Sequence, residues 1–437
     1  MLLHDATLLT AFTPGAEVLR GSVRVRDGRI VAVGALEPVA GERVVAAHGR
    51  LVTPGLVCGH THLYSALARG MPLVDAEPPR DFLETLGKIW WRLDRALDDA
   101  SVVASARVGM LDALRWGTVG LIDHHASPHA VDGSLDRLAD AAEALGVRLS
   151  TCYEVSDRDG VAIRDAGLRE NARFAAARKG SPWAAAMIGA HASFTLSDDS
   201  LDRLAALCDA TGLGLHIHLA EGGDDRRETQ QRHGRALLGG LDARGLLGPR
   251  TLLAHAIDVD PAELALIAER GAAVVHNPAS NLNNRVGFRP AWAAEGTVLL
   301  GTDGIGADML ESARTAFFRG REARPDASPD AVLQMLDANA RTLYGQLGVD
   351  GGALRPGAVA DLVLWDYDPP TPLHRGNVGG HLVFGLSSAH VGEVYSGGVL
   401  RYARGAYPGL DVAAEMAAAR HEAERLWARM AAGVTHG

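Results

Sequence analysis

The sequence predicts an α/β fold: a (β/α)8 barrel of the TIM type, joined to a small β-sandwich domain assembled from both chain ends. Three observations carry this expectation. Eight short apolar runs between residues 51 and 301 are each followed by a helical pattern. Six of those runs end in histidine and the eighth ends in aspartate. A β-rich texture present before residue 53 returns after residue 345.

In chain order, residues 1–53 contain two β-type runs, Gly21-Ser22-Val23-Arg24-Val25 and Arg29-Ile30-Val31-Ala32-Val33, on either side of an Asp27-Gly28 turn. Residues 54–344 form the barrel, whose first strand begins slightly earlier. Its predicted strands are 51–59, 117–123, 147–152, 186–190, 213–219, 251–254, 272–275 and 297–301. The helices between them include 201–211, Pro261–Arg270 and 329–343. Residues 345–410 resume the small domain, with strands expected at 360–365 and 391–395. Residues 411–437, rich in Ala, Glu, Arg and Met, predict a C-terminal helix.

Composition narrows the function. Apolar residues make up 47% of the 437 and charged residues 22%, the balance of a soluble globular chain with enough length for a large core. Fifty-three acidic residues against 43 basic ones give a net charge of −10, which speaks against nucleic acid as a partner. Cys58, Cys152 and Cys208 are widely separated and form no CxxC, so neither a disulfide framework nor a thiolate metal site is expected. A reducing, cytoplasmic location follows, since residues 1–5 show no signal peptide. No run of about 18 apolar residues predicts a membrane span.

The strand ends carry the chemistry. In a barrel they converge on one face, where active sites lie. Strand one ends in His60-Thr61-His62, and residues two apart on a strand share a face, so both imidazoles can grip one ion. Strand five offers His216-Ile217-His218 followed by Glu221; one ligand is needed, His218, and His216 is then a supporting or packing residue. Asp303, in Gly301-Thr302-Asp303-Gly304 after strand eight, can ligate and accept a proton. The predicted ligands are therefore His60, His62, His218 and Asp303. Three imidazoles and a carboxylate with a position left for water suit one divalent ion, Zn²⁺ first and Fe²⁺ as an alternative.

The segments Pro54-Gly55-Leu56-Val57-Cys58-Gly59-His60-Thr61-His62, His218-Leu219-Ala220-Glu221, His255, His276-Asn277-Pro278 and Gly301-Thr302-Asp303 together resemble the amidohydrolase superfamily. The likeness is to its branch of guanine and S-adenosylhomocysteine deaminases and triazine hydrolases. It extends to Gly357-Ala358-Val359-Ala360-Asp361-Leu362 and so spans nearly the whole chain. Trp90-Trp91-Arg92-Leu93-Asp94, Asp123-His124-His125-Ala126-Ser127-Pro128 and Glu154-Val155-Ser156-Asp157-Arg158-Asp159-Gly160 resemble the aminohydrolases of the SsnA group.

The resemblance implies deamination of a purine, pterin or related heterocycle by metal-activated water, with loss of ammonia. Glu221 would then shuttle a proton to a ring nitrogen, His255 would hold the attacking oxygen, and Asp303 would pass a proton to the departing amine. Some relatives hold two ions bridged by a modified lysine; no lysine stands at any of the eight strand ends here, so one ion is expected. The resemblance makes His191 a substrate contact and a homodimer or larger assembly the expected form. His125 is a candidate contact or a barrel-rim residue. Trp90 and Trp91 are candidate stacking walls or packed aromatics, and Arg285 a candidate for an anionic group or a solvated arginine. Attack on a halogenated or cyclic-amide ring at the same site is the alternative reaction. A non-catalytic interaction barrel fits poorly with an intact ligand set plus Glu221 and His255.

Overall fold

The computed structural model describes residues 1–75, 77–287 and 296–433. The N-terminal strands are β1 (Leu2–Leu9), β2 (Val18–Arg26), β3 (Arg29–Gly34), β4 (Val44–Ala46) and β5 (Leu51–Pro54). The barrel strands follow: β6 (Leu56–Thr61), β7 (Thr118–Asp123), β8 (Arg148–Thr151), β9 (Ala184–Ala186), β10 (Ile188–Ala192), β11 (Leu215–Leu219), β12 (Leu252–His255), β13 (Ala273–His276) and β14 (Val298–Leu300). The chain then returns to the first sheet through β15 (Leu362–Trp365), β16 (Val391–Ser396) and β17 (Val399–Ala403).

Barrel strands β6 to β9 and β10 to β14 form two parallel arcs in sequence order. One seam closes through the pairing of Thr61 with Asp303, the other through that of Val155 with Ala190. β9 and β10 share a single barrel position. At Met187 the chain changes partner, donating from Met187 N to Thr151 O at 3.1 Å and from Ile188 N to Gly214 O at 3.0 Å. Eight positions therefore make the barrel, and every residue of its strands but Ala186 and Val298 is buried, as expected of parallel strands covered by helices.

The small domain is one mixed sheet in the order β17-β16-β15-β5-β1-β2-β3, with β4 beside β1. Its ends fold toward each other: Ile30 N donates to Ala358 O and Ala360 N to Gly28 O, each at 2.8 Å. Leu3, Val23 and Ile30 thereby share a core with Leu362, Leu364 and Tyr395, which is the sandwich expected from the two chain ends.

The expected first barrel strand, 51–59, is in fact two. β5 pairs with β1 and β15, whereas β6 pairs with β7. The change occurs at Gly55, where a Cβ would lie 2.3 Å from Val119 Cγ2; only glycine lets the chain cross there. An unbroken apolar run gives no sign of this crossing.

The helix Val412–Ala432 buries Ala419, Ala423, Leu426 and Met430, one stripe at helical spacing. It packs on the helix Asp99–Arg115, paired through Arg107 and Glu415, and Trp427 Nε1 donates to Leu67 O at 2.9 Å in the turn that follows β6. No helix among the described residues is long and apolar enough to cross a membrane.

Candidate metal centre and its cavity

His60, His62, His218 and Asp303 meet at the C-terminal mouth of the barrel, and hydrogen bonds fix how each ring is turned. Nδ1 of His62 donates to His124 O at 2.6 Å, and Nδ1 of His218 donates to His191 O at 3.0 Å. A carbonyl can only accept, so each neutral ring keeps its lone pair on Nε2. His60 Nδ1 lies 2.9 Å from His216 Nε2, which leaves His60 Nε2 facing the centre. His216 thus supports a ligand from behind.

Four lone-pair atoms now stand together. Nε2 of His62 is 3.2 Å from Nε2 of His218 and 2.9 Å from Oδ1 of Asp303; Nε2 of His60 is 3.6 Å from that oxygen. Tetrahedral ligands about 2.1 Å from an ion would be spaced about 3.4 Å apart. Burial brings the His60 pKa to about 3 and holds His218 well below the usual histidine value, so both rings are neutral and able to ligate. Burial would raise Asp303, but contacts with His60 and His62 hold it well below the carboxylate range. His62 runs the other way: burial lowers it, yet the Asp303 contact outweighs that and raises it to about 9. A cation in this place would draw on the His62 lone pair instead.

Glu221 and His255 border the same centre. Glu221 Oε1 accepts from Asn284 Nδ2 at 3.1 Å, and Oε2 lies 3.5 Å from His255 Nε2. His255 Nδ1 donates to Asn281 Oδ1 at 2.8 Å, turning Nε2 toward Glu221 and, at 3.9 Å, Oδ2 of Asp303. That oxygen also accepts from Ser280 Oγ at 2.5 Å. Burial is the main cause raising the Glu221 pKa, the direction a proton shuttle needs. Ala220, His255, Ala256 and Asp303 all have left-handed φ, 48°, 75°, 50° and 54°, a concentration of backbone strain at the strand ends.

The cavity above these groups is walled by Phe82, Leu86, Trp90, Trp91 and Phe194. Of the substrate contacts expected from sequence, His191 and Trp90 line it. His125 does not: fully buried, it donates from Nε2 to Ser127 Oγ at 2.9 Å, behind the wall. Neither does Arg285, an exposed residue whose guanidinium points to Arg80 O at 3.4 Å. Sequence reasoning missed Ser280, Asn281 and Asn284, which hold Asp303, His255 and Glu221. It also missed Glu154 and Arg158 in the cavity wall.

The model of the amidohydrolase family matches residues 51–400. The chain belongs to this family. Among amidohydrolases it is 31% identical over 413 residues to a 5'-deoxyadenosine deaminase of Methanothermobacter thermautotrophicus, covering 90% of this chain and 92% of that one. A solved adenosine deaminase from Xanthomonas campestris with bound zinc superposes with a TM-score of 0.83 at 26% identity, covering 97% of this chain and 98% of the other. An atrazine chlorohydrolase from Arthrobacter aurescens complexed with zinc and atraton shares the fold, with a TM-score of 0.81 at 23% identity, covering 97% and 99%.

Proposed function

We propose that this amidohydrolase holds one divalent ion, zinc first and iron as the alternative, between His60, His62, His218 and Asp303, and deaminates an amino-substituted nitrogen heterocycle. What carries this is the buried cluster of three imidazole nitrogens and a carboxylate oxygen whose lone pairs face one another at 2.9–3.6 Å. Without a cation Asp303 is balanced by a proton on His62; an ion bound here would take that proton's place. Two facts favour a single ion. The second nitrogens of His62 and His218 are committed to backbone carbonyls, so neither ring can bridge to a second ion. No lysine stands at a strand end to bridge a second.

When bound, a divalent ion held by these four residues would lower the pKa of a water from about 15.7 toward 7. Glu221 takes a proton on the oxygen facing His255 and delivers it to a ring nitrogen. His255, its ring fixed by Asn281, presents Nε2 toward the attacking oxygen. Asp303 Oδ2 carries a proton to the departing amine. Trp90 and His191 hold the ring within the apolar walls. Loss of a halide at the same centre is the second reading, supported by the fold shared with the atrazine chlorohydrolase. An amine must be protonated to leave and a halide need not be, so the Glu221–His255–Asp303 chain favours the amine. Exposed Phe318 and Phe384, with ring centroids 6.0 Å apart, support a homodimer or larger assembly.

The test is an ammonia-release screen of purines, pterins, pyrimidines and triazines on zinc-loaded protein, with halide release measured alongside and metal counted per chain. Ammonia and one ion are expected. Halide alone, or two ions per chain, would overturn the corresponding part.

A further inference from the structure

Across the barrel mouth from Asp303 and His255, the cavity wall contains a charged corner that the deamination chemistry does not use. Glu154 follows β8, and its side chain is almost wholly buried, yet it lines the cavity together with Arg158 and His191. Its two oxygens are differently placed. Oε2 lies 3.2 Å from His124 Nδ1, deep in the wall. Oε1 lies 3.3 Å from Arg158 Nη2 and 3.9 Å from His191 Nε2.

The His191 ring is turned by its surroundings. Thr195 Oγ1 donates to Ala192 O at 2.9 Å, so it must accept from His191 Nδ1, also at 2.9 Å. The neutral ring then carries its lone pair on Nε2. Glu154 Oε1 and His191 Nε2 are thus two acceptors, 3.9 Å apart, too far to bond each other directly. A donor nitrogen about 2.9 Å from each fits between them.

Arg158 does not cancel the acceptor character of this corner. Its guanidinium is shared with Asp94 and, at 3.3 Å, with Asp159, while it rests 5.4 Å over the Trp91 ring. It therefore fixes the Glu154 side chain and leaves Oε1 room for a further partner. Glu154 also borders the metal centre: one of its oxygens lies within 4.8 Å of ring nitrogens of His62, His124 and His218. Glu154, His191, Glu221 and Asp303 line one cavity, so a single ligand can reach both this corner and the metal centre.

We propose that Glu154, paired with His191, is a specificity-determining residue that selects substrates carrying a second N–H or amino donor besides the amine that leaves. This rests on the deaminase reading and narrows it. The substrate class becomes a diamino-type heterocycle, or one whose ring N–H is unsubstituted on that edge. Arg158 is the positioning residue for the Glu154 carboxylate.

The test uses two probes that differ by one amino group, 9-methyladenine and 9-methyl-2,6-diaminopurine (below, diaminopurine), neither of which carries a ring N–H. Binding is measured by calorimetry on zinc-loaded Glu221→Gln protein, in which turnover is slowed by roughly 10²–10⁴-fold. Diaminopurine is expected to bind tighter by about tenfold or more, the discrimination of a buried hydrogen-bonding site. Adding Glu154→Gln, which keeps shape but removes the charge, should shrink that ratio to a few-fold. Adding Glu154→Met should bring it to about one through loss of diaminopurine binding alone. Melting curves and zinc content of each variant separate these effects from misfolding, and Glu154→Gln retains the test if Glu154→Met does not fold. Equal affinity for the two probes, a ratio unmoved by Glu154→Gln, or no binding of either probe would overturn the proposal. Its failure is distinct from failure of the deaminase reading. Ammonia release with a ratio of one sinks the donor site alone; the expected ratio with no ammonia from any heterocycle sinks the deaminase reading alone.

Discussion

Ser280 is the most informative residue to change, because it touches Asp303 on the oxygen that faces away from the three imidazoles. Its hydroxyl donates to Oδ2 at 2.5 Å, while Oδ1 faces His62 at 2.9 Å and His60 at 3.6 Å. A hydrogen bond to an ionised group contributes roughly 1.5–3 kcal/mol. At 1.36 kcal/mol for each factor of ten, Ser280→Ala should weaken ion binding by roughly 10–100-fold, the range found when a partner of a metal ligand is removed. Ser280→Thr keeps the hydroxyl and should stay within a few-fold of the parent. The assay is zinc affinity by competition with a chromophoric chelator, with melting curves to show that the fold is intact. If Ser280→Ala binds zinc within twofold of the parent, Asp303 is not held by this contact and the argument fails.

Glu221→Gln preserves the size of the side chain but not its basicity; kcat should fall by roughly 10²–10⁴-fold while zinc content stays at parental level, checked by steady-state kinetics and metal analysis. In metal-free protein, burial should keep the Glu221 carboxyl protonated to a pH above the ordinary glutamate range, and the proton should be lost as pH rises. Zinc loading adds positive charge and should lower that midpoint, which infrared difference spectra against Glu221→Gln would show. Gly189→Ala would place a Cβ 2.3 Å from Tyr153 O beside one barrel seam, costing about 1–3 kcal/mol in denaturant unfolding. Chelation of the ion should lower the melting temperature, and saturating zinc should restore it, since only the folded chain brings the ligands together.

Much of the centre was legible in the sequence because a barrel turns order into geometry. Once His60, His62, His218 and Asp303 were placed at strand ends, convergence on one face followed. The register of adjacent residues was harder. At the end of β7, His124 donates inward to Ala190 O and His216 O while its neighbour His125 turns to Ser127, and two adjacent histidines do not announce which way they point. Ser280, Asn281 and Asn284 were invisible for another reason: short polar residues after a strand are the usual content of loops, and only distance makes them partners of Asp303, His255 and Glu221. Glu154 lay in a segment whose likeness to the SsnA group was plain, but a glutamate at a strand end does not declare whether its charge is spent on neighbours or offered to a ligand.

The crossing at Gly55 has a consequence for anyone who would engineer this molecule. β5 lies in the mixed sheet and β6 carries His60, with one residue between them. The first sheet therefore cannot be trimmed off as an appendage, or exchanged for another, without pulling directly on a ligand-bearing strand. Deletion of the chain ends, an apparent route to a minimal catalytic barrel, should instead cost ion affinity. Insertions are better placed in the exposed loop between β3 and β4, at residues 37–41.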